Sequence, residues 1–210
     1  MGHVVLLGDS IFDNAAYVAG GSPLIEQLQR RLPETWNASL LARDGAIVSN
    51  VLRQISSLPQ TATHLVISAG GNDALESAYL LRETNRTAQQ GFADIAAVQR
   101  RFADDYRRII REALATERPA VVCTVYDSVP DLGATEIALL SIFNDVIQRE
   151  AFRVGLPLID LRLLCSEPSD YSTLSAIEPS EIGGAKIASG IARVVSTHDF
   201  RSTQTLVYGR

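Results

Sequence analysis

The feature that most constrains this chain is the alternation of short, continuously apolar runs with stretches of helical periodicity. The runs are "HVVLLG" (3–8), "ASLLA" (38–42), "THLVISAG" (63–70), "PAVVCTVY" (119–126) and "LPLIDL" (156–161). Unbroken Val, Ile and Leu, in place of strict apolar–polar alternation, is the pattern of strands covered on both faces. Between them, "SPLIEQLQRRL" (22–32) places Leu24, Ile25, Leu28 and Leu32 on one helical face, with Ser22 as candidate N-cap and Pro23 at the first helical position. "AIVSNVLRQI" (46–55) repeats Ile47, Val51 and Ile55 at four-residue steps. A longer pattern over 92–117 carries Phe92, Phe102, Tyr106, Ile109 and Ile110, and further helices are expected over 135–153 and 184–195. Strands alternating with helices predict an α/β fold with a mainly parallel sheet of about five strands, covered on both sides.

At 210 residues and 46% hydrophobic content, one domain over residues 1–210 with a substantial core is expected. The net charge is −5, and the densest basic stretch, "RRFADDYRRIIRE", alternates with acids as a solvated helix face does. A nucleic-acid partner is therefore not expected. Cys123 and Cys165 lie in or beside apolar segments and read as buried thiols; with three histidines they make a poor zinc inventory. No cofactor is expected. The N-terminus shows no basic region followed by an apolar run, and no stretch approaches the roughly 18 apolar residues that span a bilayer. A soluble, cytoplasmic protein is the expectation; the sequence leaves the oligomeric state open.

In parallel sheets, ligands bind beyond the carboxyl ends of the strands. The residues there are unusual: Gly8-Asp9-Ser10, Arg43-Asp44-Gly45, Gly70-Gly71-Asn72-Asp73 and Asp127-Ser128. Each has an ordinary reading as turn chemistry. The sharper one makes Ser10 a nucleophile held out at a strand end. A double glycine closing an apolar strand lets backbone approach a substrate, and Asn72 supplies an uncharged donor. "DALESAYLLRETNRTAQQG" (73–91) is the least regular stretch, expected as a partly ordered excursion beside the site.

Taken in order, "LLGDSIFDN", "ARDGA", "SAGGNDAL" and "IEPSEIGGAKIA" resemble the four motif blocks of the SGNH (GDSL-type) hydrolases, over residue 4 to about 195. The resemblance implies a flavodoxin-like three-layer α/β/α fold and an esterase, lipase or thioesterase acting on a small ester-type substrate. It implies Ser10 as nucleophile, with an oxyanion hole from the Ser10 and Gly45 backbone N–H groups and the Asn72 side-chain amide. The last block departs from the family's Asp-x-x-His-Pro-Ser. Here "SAIEPS" puts Ser175 where Asp is expected and Glu178 where the general-base His is expected; a bacterial branch of GDSL-like proteins resembles this sequence more closely, "IEPS" included.

An unperturbed Glu has a pKa of about 4.3 and is a weak base, which burial raises toward the useful range. Glu has no second ring nitrogen for an Asp to orient, so losing both family residues together is chemically coherent. A Ser10–Glu178 dyad is thus one reading; a catalytically weak relative binding a small ligand in the same pocket is another. Among the histidines, His3 and His64 open strands and belong at the amino edge of the sheet. His198 keeps an open position, its plainer reading being a solvated C-terminal residue, and Asp170 is either a cap or a group reaching the site. A third chemistry gathers Asp9, Asn72, Asp73, Asp127 and Glu178 as oxygen ligands of a divalent metal, loosely like the strand ends of calcineurin-like phosphoesterases but without their histidines.

Overall fold

All six strands run parallel in one sheet of order β2-β1-β3-β4-β5-β6, seen in a computed structural model that describes residues 1–82 and 85–209. The strands are β1 (His3–Gly8), β2 (Asn37–Leu40), β3 (His64–Ser68), β4 (Ala120–Cys123), β5 (Leu158–Ile159) and β6 (Val207–Tyr208). Every residue of β4, and all but the first of β1 and β3, is buried, as their apolar composition requires. The helices are α1 (Leu24–Gln29), α2 (Val48–Ser56), α3 (Gly71–Ser77), α4 (Ala88–Ala115), α5 (Ala134–Val154), α6 (Leu161–Leu164) and α7 (Glu181–Thr197). They contact one another in two groups, α1 with α7 and α2 with α4 with α5, which cover the sheet as its two outer layers.

The strands are shorter than the apolar runs, because the last residues of each run leave the sheet to build the site edge. β6 is the addition: two residues pair with β5 through Leu158–Val207 and Ile159–Tyr208. So short a segment carries no periodicity of its own. Ser22 does not cap α1. The Asn14 side chain accepts from Leu24 N–H at 2.9 Å, and Pro23 stands at the N-cap. The expected irregular stretch resolves into α3, a 3₁₀ turn over Ala78–Arg82 and the start of α4 at a Thr87–Gln90 capping box; Glu83 and Thr84 lie outside the described residues.

Cys123 and Cys165 are buried free thiols. No helix of the described residues is long and apolar enough to cross a membrane.

Candidate active site

The site begins where β1 stops. Gly8 has φ +132°, and a Cβ there would stand 1.7 Å from the Ser68 carbonyl oxygen of β3, so only glycine lets the chain turn while still paired. Gly8 N–H donates to Gln54 Oε1 at 2.7 Å and its carbonyl accepts from Gln54 Nε2 at 2.9 Å. Beyond it the Asp9 carbonyl accepts from the N–H groups of Phe12 and Asp13, and Asp9 Oδ1 accepts from Ile11 N–H at 3.1 Å. The turn so tied leaves the Ser10 N–H without an acceptor among the described residues, and the Ser10 side chain lines one cavity with the Glu178 side chain.

Glu178 is brought there by a well-fastened loop. Tyr126 Oη donates to the Ile177 carbonyl at 2.7 Å, Asn14 Nδ2 to that of Pro179 at 3.2 Å, and Ser172 N–H to that of Glu178 at 2.8 Å. Ser175 sits in the same turn, accepting from Glu178 N–H through its backbone carbonyl. The Glu178 side chain is buried, and its Oε2 has no hydrogen-bond partner among the described residues.

Asn72 lies in the first turn of α3. Its Nδ2 donates to the Ala46 carbonyl at 2.9 Å, tying α3 to the turn at Gly45. An amide nitrogen carries two hydrogens, so this bond leaves one for a ligand. Gly45 has φ +73° and borders an adjoining groove with Arg43, Asp44 and Ala46. It is not among the residues lining the cavity that holds Ser10, Asn72 and Glu178.

That cavity measures about 90 Å³. Beyond Asp9, Ser10, Asn72, Glu136 and Glu178 its walls are almost wholly apolar, with Leu75, Val125, Leu132, Leu139 and Ile177 prominent. The backbone at Val125 is held by Asn144, which accepts from Val125 N–H and donates to its carbonyl, both at 2.8 Å. In this setting the acids hold their protons more tightly. Burial pushes Glu178 up to about 7 against the opposing influence of the Ser10 side chain, with the Asp44 charge adding to the rise. Burial likewise pushes Asp9 up to about 8, and Asp73, which accepts from Val48 N–H at 2.9 Å, to about 6.

No imidazole lines the cavity. His3 contacts Thr61 and Ser39, and His64 stacks on Trp36. His198, whose position the sequence left open, lies at the opposite edge of the sheet beside Pro119, Ala120 and Pro157, with Nδ1 2.9 Å from Tyr208 Oη. Asp170 is fully buried in an ion pair with Lys186 at 2.6 Å. Phe12 is a core residue, whereas the Tyr17 hydroxyl reaches Asp44 at 2.7 Å. Among the described residues no group of three or more His, Cys, Asp or Glu side chains is arranged to hold a metal ion, so the oxygen-ligand cluster does not assemble.

Sequence reasoning passed over Gln54 and Asn144. Their signal was available, since each is an amide in an otherwise apolar helical stripe, next to Ile55 and Phe143. Asp9 reads from the sequence as a turn residue or a metal ligand, not as a buried acid of the cavity.

The fold is an α/β one with a cavity holding the strand-end residues, and the family match gives the class, an ester-bond hydrolase. Residues 6–184 match the GDSL-like lipase/acylhydrolase family, and the chain belongs to that family. A comparison with curated proteins gives no match. Among solved structures, an acetyl xylan esterase, AlAXEase, superposes with a TM-score of 0.70 at 17% identity, over 92% of this chain and 99% of that one. The extracellular lipase of Streptomyces rimosus gives 0.63 at 20% identity, over 93% and 99% of the two chains. The esterase EstA of a Pseudoalteromonas species gives 0.64 at 14% identity, over 94% and 100%. At these identities the likeness is one of fold.

Proposed function

We propose that the protein is a serine esterase in which a Ser10–Glu178 dyad replaces the family's imidazole-based machinery. The observation that carries this reading is that Ser10 and the buried Glu178 carboxyl line one largely apolar cavity without an imidazole, where burial pushes Glu178 up to about 7. That value matches imidazole, so the carboxylate form is available near neutrality and basic enough to accept the Ser10 proton.

The steps follow from charge. Ser10 Oγ attacks the ester carbonyl as its proton passes to Glu178, and negative charge moves from the carboxylate to the former carbonyl oxygen. The Ser10 N–H and the second hydrogen of Asn72 Nδ2 are the donors for that oxyanion, Gly45 lying on the adjoining groove. Protonated Glu178 then returns its proton to the departing alkoxide, leaving an acyl-Ser10 ester. Water, deprotonated by Glu178, attacks that ester in turn. Glu178 is neutral once protonated, so no imidazolium forms and no orienting Asp is needed, in keeping with Ser175 at that position.

The apolar cavity fits the acyl part of a small ester, and the acidic net charge fits such a substrate better than a nucleic acid. A fluorophosphonate probe is expected to label the wild-type protein and spare Ser10→Ala, and short-chain p-nitrophenyl esters are expected to turn over. Equal labelling of both proteins overturns the assignment of Ser10. No labelling and no turnover overturns it in favour of a binding protein.

A further inference from the structure

The mechanism above leaves two acids of the cavity unused, the half-buried Glu136 and the buried Asp9. Asp9 lines the same walls as Ser10, Asn72 and Glu178, yet it is 1% exposed. Its Oδ1 is fixed by Ile11 N–H, while Oδ2 has no hydrogen-bond partner among the described residues. Oδ2 lies 3.8 Å from where a Cβ on Gly71, the neighbour of Asn72, would stand.

The groups that face Asp9 electrostatically come from several elements: Glu178 from the loop before α7, Asp73 from α3, Tyr106 from α4, Cys123 from β4 and Tyr126 just beyond it. None is a cation. A buried carboxylate without a counter-charge is strongly disfavoured and keeps its proton instead.

We propose that Asp9 is a positioning residue that works as an uncharged carboxylic acid behind the oxyanion site, and that ionising it shuts the reaction down. The inference rests on the reading of Ser10 and Glu178 as a dyad. During acyl transfer a negative charge moves from Glu178 onto substrate oxygen. A second charge on Asp9, in the same water-poor space, would oppose that movement at every step. A carboxylic acid in an apolar setting is kept neutral at working pH by this same balance. Asp9 makes no bond to substrate and passes on no proton. Its neutrality preserves the field in which Ser10 and Asn72 act.

The test is the pH profile of kcat/KM on a neutral p-nitrophenyl ester. Wild type is expected to rise through about pH 7, as Glu178 ionises, and fall through about pH 8, as Asp9 does. Asp9→Asn keeps the Ile11 acceptor and stays neutral at any pH. Normalised to its own value at pH 7, that variant is expected to level off above pH 8, so that wild type falls below it by about tenfold per further pH unit. A descending limb unchanged in Asp9→Asn, or none in wild type, overturns the proposal. A missing ascending limb with the descending one present rejects Glu178 as base and leaves Asp9 standing. Should Asp9→Asn fail to fold, infrared spectra of Glu178→Gln decide. A carboxylic-acid carbonyl band that disappears through about pH 8 supports the proposal, and its absence overturns it.

Discussion

Gln54 clamps Gly8 at both ends of its peptide, taking the N–H at 2.7 Å and giving to the carbonyl at 2.9 Å. Gly8 is the last residue of β1, two positions ahead of Ser10, so a side chain of α2 fixes the backbone that aims the candidate nucleophile. Gln54→Leu keeps the apolar packing of α2 but strands a buried backbone donor at the turn. An unpaired buried group costs about 1–3 kcal/mol, and a lower midpoint of urea unfolding by that amount is expected. The same change should lower kcat on a p-nitrophenyl ester more than it raises KM, because the turn moves while the acyl walls stay. An unchanged kcat with reduced stability would leave Gln54 as packing alone.

Gly8 itself is less forgiving. With φ +132° and the Ser68 oxygen in its way, Gly8→Ala forces β1 and β3 apart at the site edge. A loss larger than that of Gln54→Leu is expected, on the order of 3 kcal/mol or more, read as a fall in soluble yield and unfolding midpoint.

This contrast shows what the sequence made legible. The strand ends stood out because buried parallel strands are apolar throughout, so Gly8-Asp9-Ser10 and Gly70-Gly71-Asn72-Asp73 break the pattern sharply. Their convergence followed from the parallel sheet alone, and the structure gathers Ser10, Asn72 and Glu178 around one cavity. What stayed hidden was long-range pairing between polar groups. Nothing local says that Gln54 belongs to Gly8, Asn144 to Val125 or Asn14 to Leu24. The two-residue β6 pairs with the edge of β5; Val207 and Tyr208 suit a strand, but two residues are too few to show a period. His198 was unplaceable for a related reason: the chain after α7 turns to the amino edge, where the ring packs on Phe200.

Asn72 joins two functions in one amide, holding the Gly45–Ala46 turn and offering a second hydrogen to the cavity. Asn72→Ala removes both. The loss of one oxyanion donor typically costs about 10²–10³ in kcat, and that range is the expected result, with KM changed little. A rise confined to KM would argue that Asn72 binds the ground state and not the oxyanion.

On the proposed dyad, Glu178 sets the acid side of the activity profile. With its pKa at about 7, the carboxylate fraction grows as pH rises, so kcat/KM should climb through that value and not descend through it. Glu178→Gln keeps the shape and the capacity to accept from Ser10 but cannot take its proton. A drop of about 10²–10⁴ is expected, with the ascending limb abolished. An ascending limb surviving in Glu178→Gln would place the base elsewhere.

Asp9 links the site to stability. Its pKa is about 8 in the folded chain against 3.8 ordinarily, so the folded state binds its proton more tightly than the unfolded state does. The resulting stabilisation is fully present below about pH 4, and is lost as pH rises toward 8 at up to roughly 1.4 kcal/mol per pH unit. Carboxylates held low by partners, such as Asp160 beside Arg162 and Thr124, titrate in the opposite sense and are common to wild type and variant. The difference between wild type and Asp9→Asn therefore isolates Asp9. Unfolding in urea should show the variant gaining on wild type steadily between pH 5 and pH 8. Parallel stability curves over that range would mean that Asp9 carries its charge in the folded protein without penalty.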